Sequence, residues 1–145
     1  MSKGFYKLLW LLIFIPCLGY ANDAQVLTWT RQTLSKTLCI SYQTIDSQLS
    51  SVKTNYTLEA WQNLKSFLGD KIIMVRDNRL TLHPKAVKTN QLVAKQGFRN
   101  IIYWRVNQGF DIPELKMMIY FSVIVIPAKN PPYLIQSLNV TTLDY

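Results

Sequence analysis

The hydrophobic period of the chain changes once, near residue 79, and that change limits the fold more than any other feature. Before it, apolar residues recur at intervals of three, four and seven: Leu27, Leu34, Leu38, Tyr42, Ile45 and Leu49 predict one helix over residues 23–49 with a single buried face. Asn22 or Asp23 can cap its first turn, because an oxygen acceptor there satisfies free backbone N–H groups. A second helix is announced by "YTLEAWQNLKSFLGD", with Thr57 as N-cap, Glu59 complementing the positive end of the dipole and Gly69 as a C-terminal stop. Trp61, Leu64 and Leu68 share its inner face. "KIIMVRDN" fits a short third helix or a strand, and periodicity does not separate the two.

After the change the period is two. "RLTLH" predicts a short strand closed by Pro84, "TNQLVAKQGF" and "NIIYWRVN" antiparallel partners, and "ELKMMIYFSVIVIPA" a long strand apolar on both faces in its later half. "KNPP" turns the chain into a last strand, "YLIQSLNV". Helices first and antiparallel strands afterwards define an α+β fold, with the N-terminal helices packed on a curved antiparallel sheet.

Ahead of this pattern stands an apolar run, "KLLWLLIFIPCLGYAND". Lys3 and Lys7 form a basic lead-in, the apolar stretch extends from Leu8 to Leu18, and Gly19 and Ala21 supply the small residues that signal peptidase accepts. A spanning helix needs roughly 20 apolar residues; this run is shorter and contains Pro16 and Gly19. The expectation is a signal peptide over residues 1–21, cleaved after Ala21, and one exported domain over residues 22–145, with membrane association only through a retained leader. Pro16 disfavours acylation of Cys17. Lys3 and Lys7 leave with the leader, so sixteen basic residues become fourteen against eight acidic ones, a balance of +6 that favours acidic partners or surfaces. Cys39 then remains without a disulfide partner, and its place near the helical stripe predicts a buried, inert thiol.

Catalytic chemistry finds little material. His83, before Pro84 at a strand end, has no evident partner, and the eight acids show no paired spacing, so no catalytic residue is assigned. One histidine and one mature cysteine do not make a conventional zinc site, and no glycine-rich phosphate cradle is present, so neither metal nor cofactor is expected. Lys85, Lys88, Lys95, Arg99 and Arg105 interleave with Phe98, Tyr103 and Trp104 in the manner of a nucleic-acid surface. Yet "QGFRNIIYWRV" lacks the aromatic pattern of an RNA-recognition motif, and a strand with Arg99 and Arg105 in water and its aromatics in the core explains the same residues. Trp29, Trp61 and Trp104 are read as core, and no nucleic-acid partner is expected. Asn55-Tyr56-Thr57 and Asn139-Val140-Thr141 are glycosylation sequons that matter only in a eukaryotic source.

The order of an opening "LTWT" helix, then "NYTLEAWQNLKSFL", "KQGFRNIIYWRVN", the long apolar strand and a final "LIQSLNV" resembles the IcmL/DotI family over residues 24–145. The likeness is carried by Tyr56-Thr57-Leu58-Glu59-Ala60-Trp61 at the second helix and by Trp104-Arg105-Val106 in the strand. The family often has glycine where Ala60 stands, and carries a true spanning helix where this chain has its shorter run. The resemblance implies an NTF2-like, cone-shaped periplasmic domain of a Dot/Icm-type (type IVB) secretion or conjugation system. Such a domain is non-enzymatic and works by assembling with itself and with other secretion-system subunits, with inner-membrane association through an uncleaved leader. The alternative is an exported NTF2-like domain that binds a small apolar ligand in its cone. No binding residue is singled out by the sequence under either reading.

Overall fold

The computed structural model describes residues 18–88, 94–98 and 101–145, with side chains placed for residues 23–88 and 102–145. Helices α1 (Leu18–Leu38), α2 (Ile45–Val52) and α3 (Leu58–Asp77) precede strands β1 (Lys85–Val87), β2 (Ala94–Phe98), β3 (Ile101–Ile112), β4 (Met117–Pro127) and β5 (Tyr133–Asp144). The strands form one antiparallel sheet in the order β1-β3-β4-β5, with β2 also on β3. β3 carries β2 beside residues 101–105 and β1 beside residues 109–111. This is the α+β architecture expected from the change of period.

The inner face of the sheet follows from strict alternation. Trp104, Val106, Phe110 and Ile112 of β3 and Ile119, Phe121, Val123 and Val125 of β4 are buried together with Leu34 and Leu38 of α1 and Leu64 and Leu68 of α3. Phe110 and Phe121 meet edge to face at 6.2 Å, and Phe121 meets Phe67 of α3 at 6.3 Å, a preferred arrangement for aromatic quadrupoles. The interior positions are filled by side chains.

The single helix expected over residues 23–49 is two helices. Residues 40–42 are extended because they form a short ladder with residues 80–82: Ser41 bridges Thr81, the Leu82 amide donates to Ile40 O (2.8 Å) and the Tyr42 amide to Leu80 O (3.0 Å). A helix leaves no backbone group to make those bonds. Tyr42 is accordingly 36 % exposed, and Cys39, expected to be buried, is exposed at the end of α1. Asn22 and Asp23 are not caps either, since α1 begins at Leu18 and both lie inside it.

Thr57 caps α3 as expected. Its hydroxyl accepts from the Ala60 amide (3.3 Å) and donates to Gln136 O (3.0 Å), while its own amide donates to Ile135 O (2.9 Å), so the cap also ties α3 to β5. Gly69 does not stop this helix, which continues through "KIIMVRDN" to Asp77. Val75 is fully buried, and Ile72 packs against the core, so burial on the helical period outweighs the roughly 1 kcal/mol propensity cost of glycine. Arg79, at φ 50°, ends the run instead.

"RLTLH" contributes a single bridge at Thr81, and the strand begins after Pro84. "TNQLVAKQGF" supplies β2 at Ala94–Phe98, while residues 89–93 lie outside the described residues. β4 starts at Met117, after a 3-10 turn at Pro113–Leu115 and a left-handed Lys116 (φ 49°). Its later half is less apolar in environment than in composition, because Ile124 and Ile126 are only half-buried on the outer face.

Trp61 is 6 % exposed, with its ring 5.7 Å from that of Tyr56. Trp61→Ala is expected to destabilise the fold by about 3–5 kcal/mol in urea titrations, the usual cost of emptying a large aromatic site. A loss below about 1 kcal/mol would place the side chain in solvent contact instead.

Candidate functional site

Helix α1 meets the sheet through a stripe that is half polar. Val26, Thr30, Thr33, Leu34, Thr37 and Leu38 are its buried residues, and opposite them Gln108 of β3 is 2 % exposed. Leu27 and Trp29 only border this stripe, half-buried. The threonines escape a reading of the sequence that counts apolar residues.

Among the described residues, polar bonds hold the helix near its start, in its middle and near its end. Near its start the Trp104 indole donates to Asp23 Oδ1 at 3.0 Å. In the middle Arg31 Nε donates to Gln108 Oε1 at 3.4 Å, and the Gln108 amide donates to Gly109 O at 2.8 Å. Near its end the Thr37 and Tyr56 hydroxyls bond at 2.7 Å, and Thr37 also donates to Thr33 O at 2.8 Å. Burial pushes the Tyr56 phenol far above its ordinary range, against a smaller downward pull from Thr37, so Tyr56 stays a neutral hydroxyl at any physiological pH. Trp104 and Trp29 both pack on Tyr133, with ring centroids at 5.8 and 5.4 Å. Trp61 and Trp104 are core, as expected, and Trp29 lies at the core margin.

His83 has a partner that its sequence position conceals. Its Nδ1 lies 2.7 Å from Glu114 Oε1, and its backbone amide donates to Oε2 at 3.2 Å, linking the entry of β1 to the β3–β4 corner. The imidazole is 70 % exposed. Among the described residues no group of three His, Cys, Asp or Glu side chains is placed to hold a metal ion. Of the basic and aromatic residues weighed for nucleic acid, Arg105 is exposed, Trp104 is buried and Tyr103 is half-buried; the side chains of Lys95, Phe98 and Arg99 lie outside the described residues.

The outer face of the sheet carries no helix among the described residues. Register places three rows across it: Arg105, Ile124 and Ser137; Asn107, Ser122 and Asn139; and Gly109, Tyr120 and Thr141. Met118 with Leu143 and Ile126 with Leu134 extend it at either end. Leu143 is 60 % exposed. Asn107, Tyr120, Ser122, Asn139 and Thr141 line a shallow depression of about 180 Å³, where Asn107 Oδ1 is buried and has no hydrogen-bond partner among the described residues. An open antiparallel face normally reads polar. This one alternates amides and hydroxyls with half-buried Met118, Tyr120, Ile124 and Ile126.

No family model and no curated protein sequence matches the chain. Its fold does match solved structures. The periplasmic domain of DotI superposes with a TM-score of 0.69 at 15 % identity, over 82 % of this chain and 94 % of that one. A periplasmic fragment of TraM gives 0.64 at 12 % identity over 85 % and 98 %. An IcmL-like type IV secretion system protein from Legionella pneumophila gives 0.63 at 14 % identity over 84 % and 94 %. The chain therefore has the fold of an IcmL/DotI periplasmic domain.

The His83–Glu114 pair predicts a defined pH response. Burial acts to raise the Glu114 carboxyl, but the His83 hydrogen bond and backbone N–H contacts outweigh it and hold the group below the ordinary carboxylate range. A depressed folded-state value means stabilisation that is full above the unfolded carboxylate value, about 4.3, and is lost as pH falls through the lower folded one. The gap in urea midpoint between the protein and its His83→Ala variant should therefore close on acidification below about pH 4. A gap of equal size at neutral and strongly acidic pH would show that the pair does not act through this carboxylate.

Proposed function

We propose that the chain is a non-enzymatic periplasmic subunit or accessory protein of a Dot/Icm-type (type IVB) secretion or conjugation system. It acts through protein-protein assembly, with other subunits and with itself. The observation that carries this reading is the fold match to the DotI periplasmic domain and the IcmL-like protein, each covered over 94 % of its length. The mixed apolar and amide surface on the outer sheet face supports it. Phe110, Phe121 and Val123, buried on the inner face of the sheet, weigh against the small-ligand alternative.

The leader is part of the proposal. Residues 1–21 direct export and are removed after Ala21, which trims about one turn from α1 and spares Asp23, the residue that holds Trp104. His83 and Glu114 serve as a structural clip, not as a catalytic pair.

The expected outcome in cells is that tagged, cross-linked protein co-purifies with secretion-apparatus subunits. Tyr120→Asp combined with Ile124→Glu on the outer face should reduce that recovery at least tenfold while leaving the urea midpoint nearly unchanged. His83→Ala should complement a deletion strain. Failure of the folded His83 variant to complement, with the outer-face variant fully active, would reverse the assignment in favour of an enzyme.

A further inference from the structure

Strand β1 is three residues long, mostly exposed and, among the described residues, paired on one side only, to β3. A strand with one partner turns alternate N–H and C=O groups outward, where another strand can take them up. Helix α1 runs beside it. Between the two lies a cleft of about 270 Å³ lined by Arg31, Gln32, Ser35 and Lys36 of α1, Ala86 of β1 and Phe110 of β3. A helix on one side, a strand edge on the other and an apolar base form the arrangement in which extended peptides add to sheets.

The charge of this cleft has one sign. Arg31 and Lys36 are the charged residues that line it, and Lys85 and Lys88, both exposed, flank the Ala86–Val87 pair in sequence. The neighbouring carboxylate, Asp111, stands opposite Lys85 in register and accepts the Tyr145 hydroxyl at 2.7 Å. Arg31 is oriented by the sheet itself, since Gln108, which accepts from its Nε, also donates to the carbonyl of Val87 at the end of β1 (3.4 Å).

We infer that this cleft docks an extended acidic segment of a partner protein. The segment adds to the β1 edge as a further strand, with carboxylates beside Arg31 and Lys36 and an apolar side chain over Ala86. The backbone edge selects a peptide over an anionic lipid, which has no row of N–H and C=O groups to offer it. The inference rests on the assembly reading only in taking the occupant to be a protein.

The test uses the full-length protein and a labelled, capped peptide alternating aspartate with valine, followed by fluorescence anisotropy. Saturable binding should weaken with salt and fall at least tenfold in the Lys36→Glu/Lys88→Glu variant, whose two sites are exposed, while Lys129→Glu in the β4–β5 turn changes it less than twofold. Amide exchange at residues 85–87 should slow on binding. Equal affinity for a lysine-valine peptide would overturn the inference. So would binding to phosphatidylglycerol vesicles with none to the peptide. The readout needs no secretion subunit, so its failure and that of the co-purification above are separate results.

Discussion

Helix α1 is seated on the inner face of the sheet by a stripe in which threonines alternate with aliphatic residues, and the remaining contacts depend on that seating. Burying Thr37 and Gln108 costs free energy unless their polar atoms are bonded. Both are bonded, to Tyr56 and Thr33 in one case and to Arg31 and Gly109 in the other. Such bonds are directional, so they fix the rotation and axial position of the helix where aliphatic packing alone would tolerate small slides. The Thr37–Tyr56 bond carries further, because the Tyr56 ring packs at a tilt against Trp61 and Tyr56 is followed by Thr57, whose cap joins α3 to β5. One hydroxyl pair thus connects both long helices and the last strand.

With α1 and α3 packed on the inner face, the outer face of β3–β4–β5 and the β1 edge are two surfaces that the described residues leave open, and the proposed contacts use them. The outer face presents Tyr120, Ile124 and Met118 among amides and hydroxyls, and the edge presents a cationic cleft. The outer-face residues of β3 and β4 have core neighbours in sequence, and the cleft residues of α1 are flanked by buried Thr30, Thr33, Leu34 and Thr37. Strand alternation places Val123 inside and Ile124 outside, so the core and the outer face share one stretch of chain.

The α+β order, the Thr57 cap and the inner positions Trp61, Leu64 and Leu68 are legible in the sequence because each depends on local spacing. The break at residues 39–44 is not, since Tyr42 and Ile45 keep the helical interval by coincidence and the deciding contact, Ser41 with Thr81, is remote. Gly69 misleads because a glycine stop is a local preference, and the burial of Val75 overrides it. The buried threonines are invisible to an apolar count, although Thr30, Thr33 and Thr37 recur at helical intervals that could have marked them. Glu114 lies 31 residues from His83, too far for spacing to pair them. No local signal reveals the α1–β1 cleft, because the two elements meet only through the fold.

The central claim is that directional polar bonds, not aliphatic area alone, hold α1 in place, and a double-mutant cycle on Thr37 and Tyr56 tests it most directly. Thr37→Val and Tyr56→Phe keep volume and remove one hydroxyl each. By urea titration each single change should cost about 1–3 kcal/mol, because Thr37→Val leaves the Tyr56 hydroxyl buried without this bond and Tyr56→Phe leaves Thr37 only its bond to Thr33 O, while the double change costs less than the sum of the two, a coupling of about 1 kcal/mol or more. Strictly additive costs would contradict the account.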